Sequence, residues 1–174
     1  MKKKIAVLCA ILICLCFAAC ACAPGSGNDC LRIHIRANSN SQTDQKVKYL
    51  VKDAVVEYLT PLLASADTKD KAKAVVLSAR EGIEAAAERV LAENSFRYGA
   101  EAELTTEVFP ARTYGPLTLD SGEYEALIVN LGSGSGDNWW CVVYPPLCFV
   151  GGEDTGGGVV YKSALLEIIK KFFS

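Results

Sequence analysis

The change of period at Tyr98-Gly99 constrains this chain more than any other feature. Before it, from Val47 to Leu91, apolar residues return every third or fourth position; after it, apolar and polar residues alternate. The first pattern belongs to helices with one buried stripe, the second to strands with one covered face. Helices and strands segregated in this way give an α+β fold, with the helices on one side of a sheet.

One strand precedes the helices. Leu31-Arg32-Ile33-His34-Ile35-Arg36 alternates and reads as a half-buried strand, with Leu31, Ile33 and Ile35 inward and His34 on a solvated face. Asn38-Ser39-Asn40-Ser41 follows as turn and capping residues, and Ser41 with Asp44 resembles a capping box. Val47, Leu50, Val51, Ala54, Val55, Tyr58, Leu59 and Leu62 make the stripe of a first helix, which Pro61 ends or kinks. Asp67 or Thr68 caps a second helix, with Ala72, Val75, Val76, Ala79, Ile83, Ala86, Ala87, Val90 and Leu91 on its buried side. Gly82 falls in its middle, at about 1 kcal/mol relative to alanine, so close packing against the first helix is expected there. The short link makes the pair a helical hairpin over 42–94.

In the second half, Ala102, Leu104, Thr106 and Val108 alternate with Glu101, Glu103, Thr105 and Glu107, as in an edge strand with an acidic outer face. Tyr124 to Leu131 is a further strand, and Gly132-Ser133-Gly134-Ser135-Gly136 reads as the hairpin loop to the next. Trp139 to Tyr144, aromatic and β-branched, predicts a buried central strand that Pro145-Pro146 must end. Gly151 to Gly158 is a glycine-rich connector. Leu165 to Phe173 has the spacing of an amphipathic helix, expected to dock on the sheet. The predicted architecture is one mostly antiparallel sheet, with the hairpin on a single face and a C-terminal helix.

The first 23 residues are of another kind. Lys2, Lys3 and Lys4 precede an uncharged apolar run from Ile5 to Ala19, followed by small residues. That is the layout of a secretion signal, too short for an ordinary membrane span. Phe17-Ala18-Ala19-Cys20 also resembles a lipoprotein signal, which would lipidate Cys20 and leave a membrane tether. Residues 24–30 read as a flexible spacer, and 31–174 as one domain. Of 18 basic and 20 acidic side chains, three lysines fall in the signal. The exported remainder therefore carries a net charge of about −5, with no basic stripe for nucleic acid.

Five of the eight cysteines lie in the signal, leaving Cys30, Cys141 and Cys148. Export permits a disulfide. The Pro-Pro corner would bring Cys141 and Cys148 together, with Cys30 left free; two buried thiols are the alternative. With His34 the only histidine and no Cys-x-x-Cys pair, there is no metal-ligand spacing, and no cofactor is implied. A serine triad lacks its Gly-x-Ser-x-Gly turn, and Cys30 with His34 on one strand is a chance arrangement. The residues therefore point to contact rather than catalysis.

Several blocks resemble one family. Leu31 to Ser41, Asp44-Gln45, Val51 to Val55, Phe109 to Gly115, Gly122 to Leu127 and, above all, Asn138 to Val150 (Asn-Trp-Trp-Cys-Val-Val-Tyr-Pro-Pro-Leu-Cys-Phe-Val) are similar to the stage II sporulation protein R family. Asn40 stands where that pattern has aspartate. The resemblance implies a non-enzymatic signal of endospore formers, exported into the space between forespore and mother-cell membranes. There it would activate a membrane-embedded aspartic protease that matures the pro-form of sigma factor E.

On this reading Arg112, Tyr114, Asn138 and Trp139 are the expected partner contacts, because arginine and aromatic side chains dominate interface hot spots. Two other classes remain open. One is a glycan-binding module using Trp139, Trp140 and Tyr144 as a stacking platform. The other is a thiol oxidoreductase using Cys141 and Cys148.

Overall fold

The computed structural model describes residues 29–114 and 117–146. The signal, Cys20, Cys148, the glycine-rich connector and the C-terminal helix lie outside the described residues. Cys30, read as the end of a spacer, is instead buried in the domain.

Strand β1 (Leu31–Arg36) leads into helix α1 (Gln42–Leu63), followed by α2 (Lys69–Ser78), α3 (Arg80–Glu93), and strands β2 (Ala100–Phe109), β3 (Arg112–Tyr114), β4 (Leu117–Leu119), β5 (Gly122–Leu131) and β6 (Asn138–Tyr144). Ser41 Oγ accepts from the Asp44 amide and starts α1; Thr68 Oγ1 does the same for α2 from Lys71. Pro61 sits in the last turn of α1, which still runs to Leu63. Little of the ladder remains beyond a proline placed so near the end.

The predicted second helix is broken at Ala79. Ser78 Oγ bonds back to the Val75 carbonyl at 2.9 Å, competing with the helical ladder just before the break. Gly82 thus lies in the first turn of α3, where a Cβ would stand 1.9 Å from the Tyr58 hydroxyl oxygen on α1.

Four strands form one sheet in the order β2-β5-β1-β6, and β3 with β4 forms a separate two-stranded sheet, so the single sheet expected becomes two. β1 runs parallel to β5; β1–β6 and β2–β5 are antiparallel. Among the described residues β6 is an edge strand and β1 and β5 are central, the reverse of the reading that made Trp139–Tyr144 the centre. Nor do β5 and β6 pair. The 132–137 loop is no hairpin turn; it passes over the end of β1, which lies between them. Glycine is required where that crossing is tightest, since a Cβ on Gly136 would meet the Ser39 carbonyl oxygen at 2.3 Å.

Both faces of β1 are covered. Leu31, Ile33 and Ile35 join Val47, Val51, Val55 and Leu59 of α1, Val76 of α2 and Ile83 of α3 in one core. The other face carries Arg32, buried His34 and part-exposed Arg36, with Phe109, Tyr124, Ile128, Val142 and Leu119 of β4 forming a second cluster beside them. The alternation in β1 therefore separates an aliphatic core from a polar-aromatic one rather than core from water. That corrects the solvated placement of His34.

Candidate functional site

The second sheet face gathers the chain's unusual chemistry. Even-numbered residues of β1 and β5, Asn138, Trp140 and Val142 of β6, and odd-numbered residues of β2 point to it, because side chains alternate along a strand and register aligns them across it. The register shift between Leu31 and Arg32 puts Tyr144 on the other face. At its centre Arg32 is fully buried. Its guanidinium lies 4.3 Å from the Phe109 ring centre, 4.8 Å from Tyr124 and 5.9 Å from Tyr114. Nη2 donates to the Tyr114 hydroxyl at 2.9 Å, and Tyr124 donates its own hydroxyl to the Asp120 carbonyl.

Two residues further along β1, His34 sits edge-on to Phe109 and to Trp140. Burial pushes its pKa down to about 4, assisted by the charges of Arg36 and Arg32 and opposed by the Asn138 side chain. A neutral ring carries its proton on Nδ1 and donates to Glu107 Oε2 at 2.8 Å. Glu107 also accepts from Arg36 Nη2, so one edge carboxylate ties β2 to two positions of β1.

Arg112 is exposed on β3, and its guanidinium stacks 4.1 Å from the centre of Trp140. The structure thus joins Arg112 and Tyr114 to this face through Trp140 and Arg32. Asn138 shares the face, opposite Arg36. Trp139 does not. It is the register partner of Ile35 and packs on the helix-side core, with Lys52 Nζ 5.9 Å from its ring centre. Trp139 and Trp140 point to opposite sides, and Tyr144 is buried with its hydroxyl on the Asp67 carbonyl, so the three form no common stacking platform. The 109–114 segment also leaves the sheet at the end opposite the Gly-Ser loop, since Phe109 pairs with Gly122 while Ala100 pairs with Leu131; it folds back over the face to reach Trp140.

Sequence reasoning does not single out Arg32, places His34 in solvent, and groups Trp140 with Trp139 and Tyr144 and not with Arg112. The signal available was two basic side chains on a strand flanked by isoleucines, a pattern shared by a wet face and a polar core.

At the far end of the sheet, the Asn38–Ser41 segment forms a latch. Asp44 accepts from Tyr98 at 2.6 Å, from Asn38 Nδ2 at 3.1 Å, and from Ser39 Oγ. Burial raises its pKa, but the hydrogen bonds from Ser39, Tyr98, Asn38 and Ser41 outweigh that and hold it below the usual carboxylate value. Asn38 Oδ1 receives the Ser133 amide, and Asn40 Oδ1 the Asp137 amide. Both loop serines, Ser133 and Ser135, donate to the Asn38 carbonyl. The block Arg-Ala-Asn-Ser-Asn-Ser is therefore the clasp of the loop crossing.

Cys30 is a free thiol, raised to about 11 chiefly by burial, far from a reactive thiolate. Cys141 is buried beside Ile33; Cys148 lies outside the described residues. Among the described residues no group of three His, Cys, Asp or Glu side chains could hold a metal ion, and no helix is long and apolar enough to cross a membrane.

Comparison with known proteins adds two findings. The family described as Stage II sporulation protein R (spore_II_R) matches residues 27–154. The Stage II sporulation protein R of Bacillus subtilis (strain 168) is 34% identical over 141 residues, covering 81% of this chain. The chain spans 62% of that relative's length. No solved structure is a significant match.

Proposed function

Because the chain belongs to the stage II sporulation protein R family, we propose that it is an exported signal of sporulation that switches on a membrane-embedded aspartic protease, which then processes the pro-form of mother-cell sigma factor E. The family match carries this reading. It takes in the Asn138–Val150 block as well as the Asn38–Ser41 clasp. The protein acts as a ligand, not an enzyme. It works in the space between the forespore and mother-cell membranes, after cleavage of residues 1–23 or tethered there, through lipidated Cys20 in one form.

The contact surface we assign is the outer side of the second sheet face: Arg112 stacked on Trp140, part-exposed Tyr114, and exposed Asn138. Support comes from the exposure of Arg112 and from its stacking, which holds a long side chain in one posture before binding and lowers the ordering cost. Trp139, first grouped with these, belongs to a neighbouring patch on the helix side.

A Cys141–Cys148 disulfide is part of the proposal. Cys30 is the free cysteine among the described residues, and Cys141 is not. Such a bridge would fasten the chain beyond the Pro145-Pro146 turn to edge strand β6.

The direct test is co-expression of the chain, the protease and the pro-sigma substrate in a non-sporulating host. Cleavage that needs all three proteins is the expected result. Cleavage without the chain, or none with it, contradicts the reading.

A further inference from the structure

All four buried polar side-chain atoms without a hydrogen-bond partner among the described residues lie on one patch of the second sheet face: Arg32 Nε and Nη1, His34 Nε2 and Trp140 Nε1. Arg32 and His34 are successive residues on that side of β1, and Trp140 is the register partner of His34. Buried polar atoms are nearly always paired, so a cluster of orphans calls for a reason. Three of the four, the two arginine nitrogens and the indole N–H, can only donate.

Arg32 is the extreme case. It is a permanent cation at 0% exposure. Glu107, a β2 carboxylate on this face, is taken by Arg36 and His34. Contacts with three rings and the bond from Nη2 to Tyr114 return part of the hydration that the guanidinium lost, but Nε and Nη1 keep no hydrogen-bond partner among the described residues. A residue kept only for packing would not need those donors.

We propose that Arg32, with the Trp140 indole N–H beside it, is a binding site for a carboxylate group. A guanidinium presents parallel N–H donors in one plane, which fits the two oxygens of a carboxylate. The Phe109 and Tyr124 rings, centred 4.3 and 4.8 Å from the guanidinium carbon, wall the site, and the bond to the Tyr114 hydroxyl marks where an acceptor oxygen already reaches it. The way in is Tyr114. Phe109 and Tyr124 are buried, whereas Tyr114 is part-exposed, and its hydroxyl already occupies one donor of the fork. It stands on a hairpin of three-residue strands, a unit only marginally stable by itself. An arriving carboxylate takes the place of the Tyr114 hydroxyl. Its source is either a small free acid or an acidic side chain of another protein, and the inference does not depend on the signalling proposal.

The test is a nitrogen–proton correlation spectrum of the arginine Nε–H groups in the exported protein at neutral pH. Sodium acetate is titrated against sodium chloride at equal ionic strength, and a capped peptide carrying one glutamate is titrated separately. Acetate should move the Arg32 Nε–H signal saturably and chloride should not. Tyr114→Phe, which removes the competing hydroxyl, should lower the half-saturating acetate concentration several-fold. Saturation by the peptide well below acetate assigns the site to a protein side chain; saturation by acetate alone assigns it to a small acid. An Arg32 signal that responds to none of these, or to chloride as it does to acetate, overturns the proposal.

Discussion

Asp44 shows how much one side chain settles here. It takes hydrogen bonds from Tyr98, Asn38 and Ser39, and its own amide is capped by Ser41, so it joins β1, α1 and the chain before β2. Bonds to a buried charge are among the stronger ones, and removing their acceptor leaves the donors unmet. Asp44→Ala should cost about 3 kcal/mol, read as a lower urea midpoint with unchanged slope; a loss within error would mean the clasp is ornamental. His34 makes a pH prediction. Its pKa is near 4 in the folded protein against 6.5 for an ordinary histidine, so between those limits the unfolded chain binds a proton that the folded one refuses. Stability must therefore fall as pH drops from about 6.5 towards 4, by up to about 3 kcal/mol. Carboxylates with depressed values, Asp44 and Glu125, lose their contribution as pH falls through their unfolded values of 3.8 and 4.5 towards the lower folded ones, at the lower end of that window and below it. His34→Gln should flatten the slope in urea titrations between those pH values, and a variant with the wild-type slope would assign it to another group.

Among the elements, the loop from 132 to 137 carries most of the topology. It crosses the end of β1 so closely that a side chain at Gly136 collides with the backbone of Ser39. Gly136→Ala should destabilise the fold by about 2 kcal/mol or more, with amide exchange faster at 37–40 and 132–137 than elsewhere; protection unchanged in both segments would contradict the crossing. The helical stretch 42–94 and four of the strands were legible in the sequence, since hydrophobic period follows burial directly. The order of the strands was not. A Gly-Ser run between two strands looks the same whether it turns between neighbours or bridges a third, and what separates the two cases is the distant Asn38–Asn40 partner. The break at Ala79 was equally hidden, because the apolar stripe continues across it. Of the residues expected at the contact, Arg112 and Tyr114 lie against the face that holds Arg32, whereas Trp139 is on the opposite face of β6 and Trp140 on this one. The two tryptophans are adjacent on an edge strand, and only register with β1 tells which one shares a face with Arg32.

At the scale of the whole molecule, the fold has a helix-backed side that supplies the aliphatic core and an opposite sheet face where arginines, aromatic rings and an exposed loop meet. On the proposed function this division separates stability from contact, and it makes Arg112 the informative residue. Truncating it forfeits one exposed cation–π contact, about 0.5–1 kcal/mol, too little to unfold a domain of this size. The most direct measurement is the fraction of pro-sigma substrate cleaved when the protease is co-expressed with wild-type chain or with Arg112→Ala, both exported at matched levels and equally resistant to urea. Extensive cleavage is expected with the wild type and background cleavage with Arg112→Ala. Equal cleavage by the two would remove the Arg112–Trp140 face from the signalling surface, and no cleavage by the wild type would remove the signal itself.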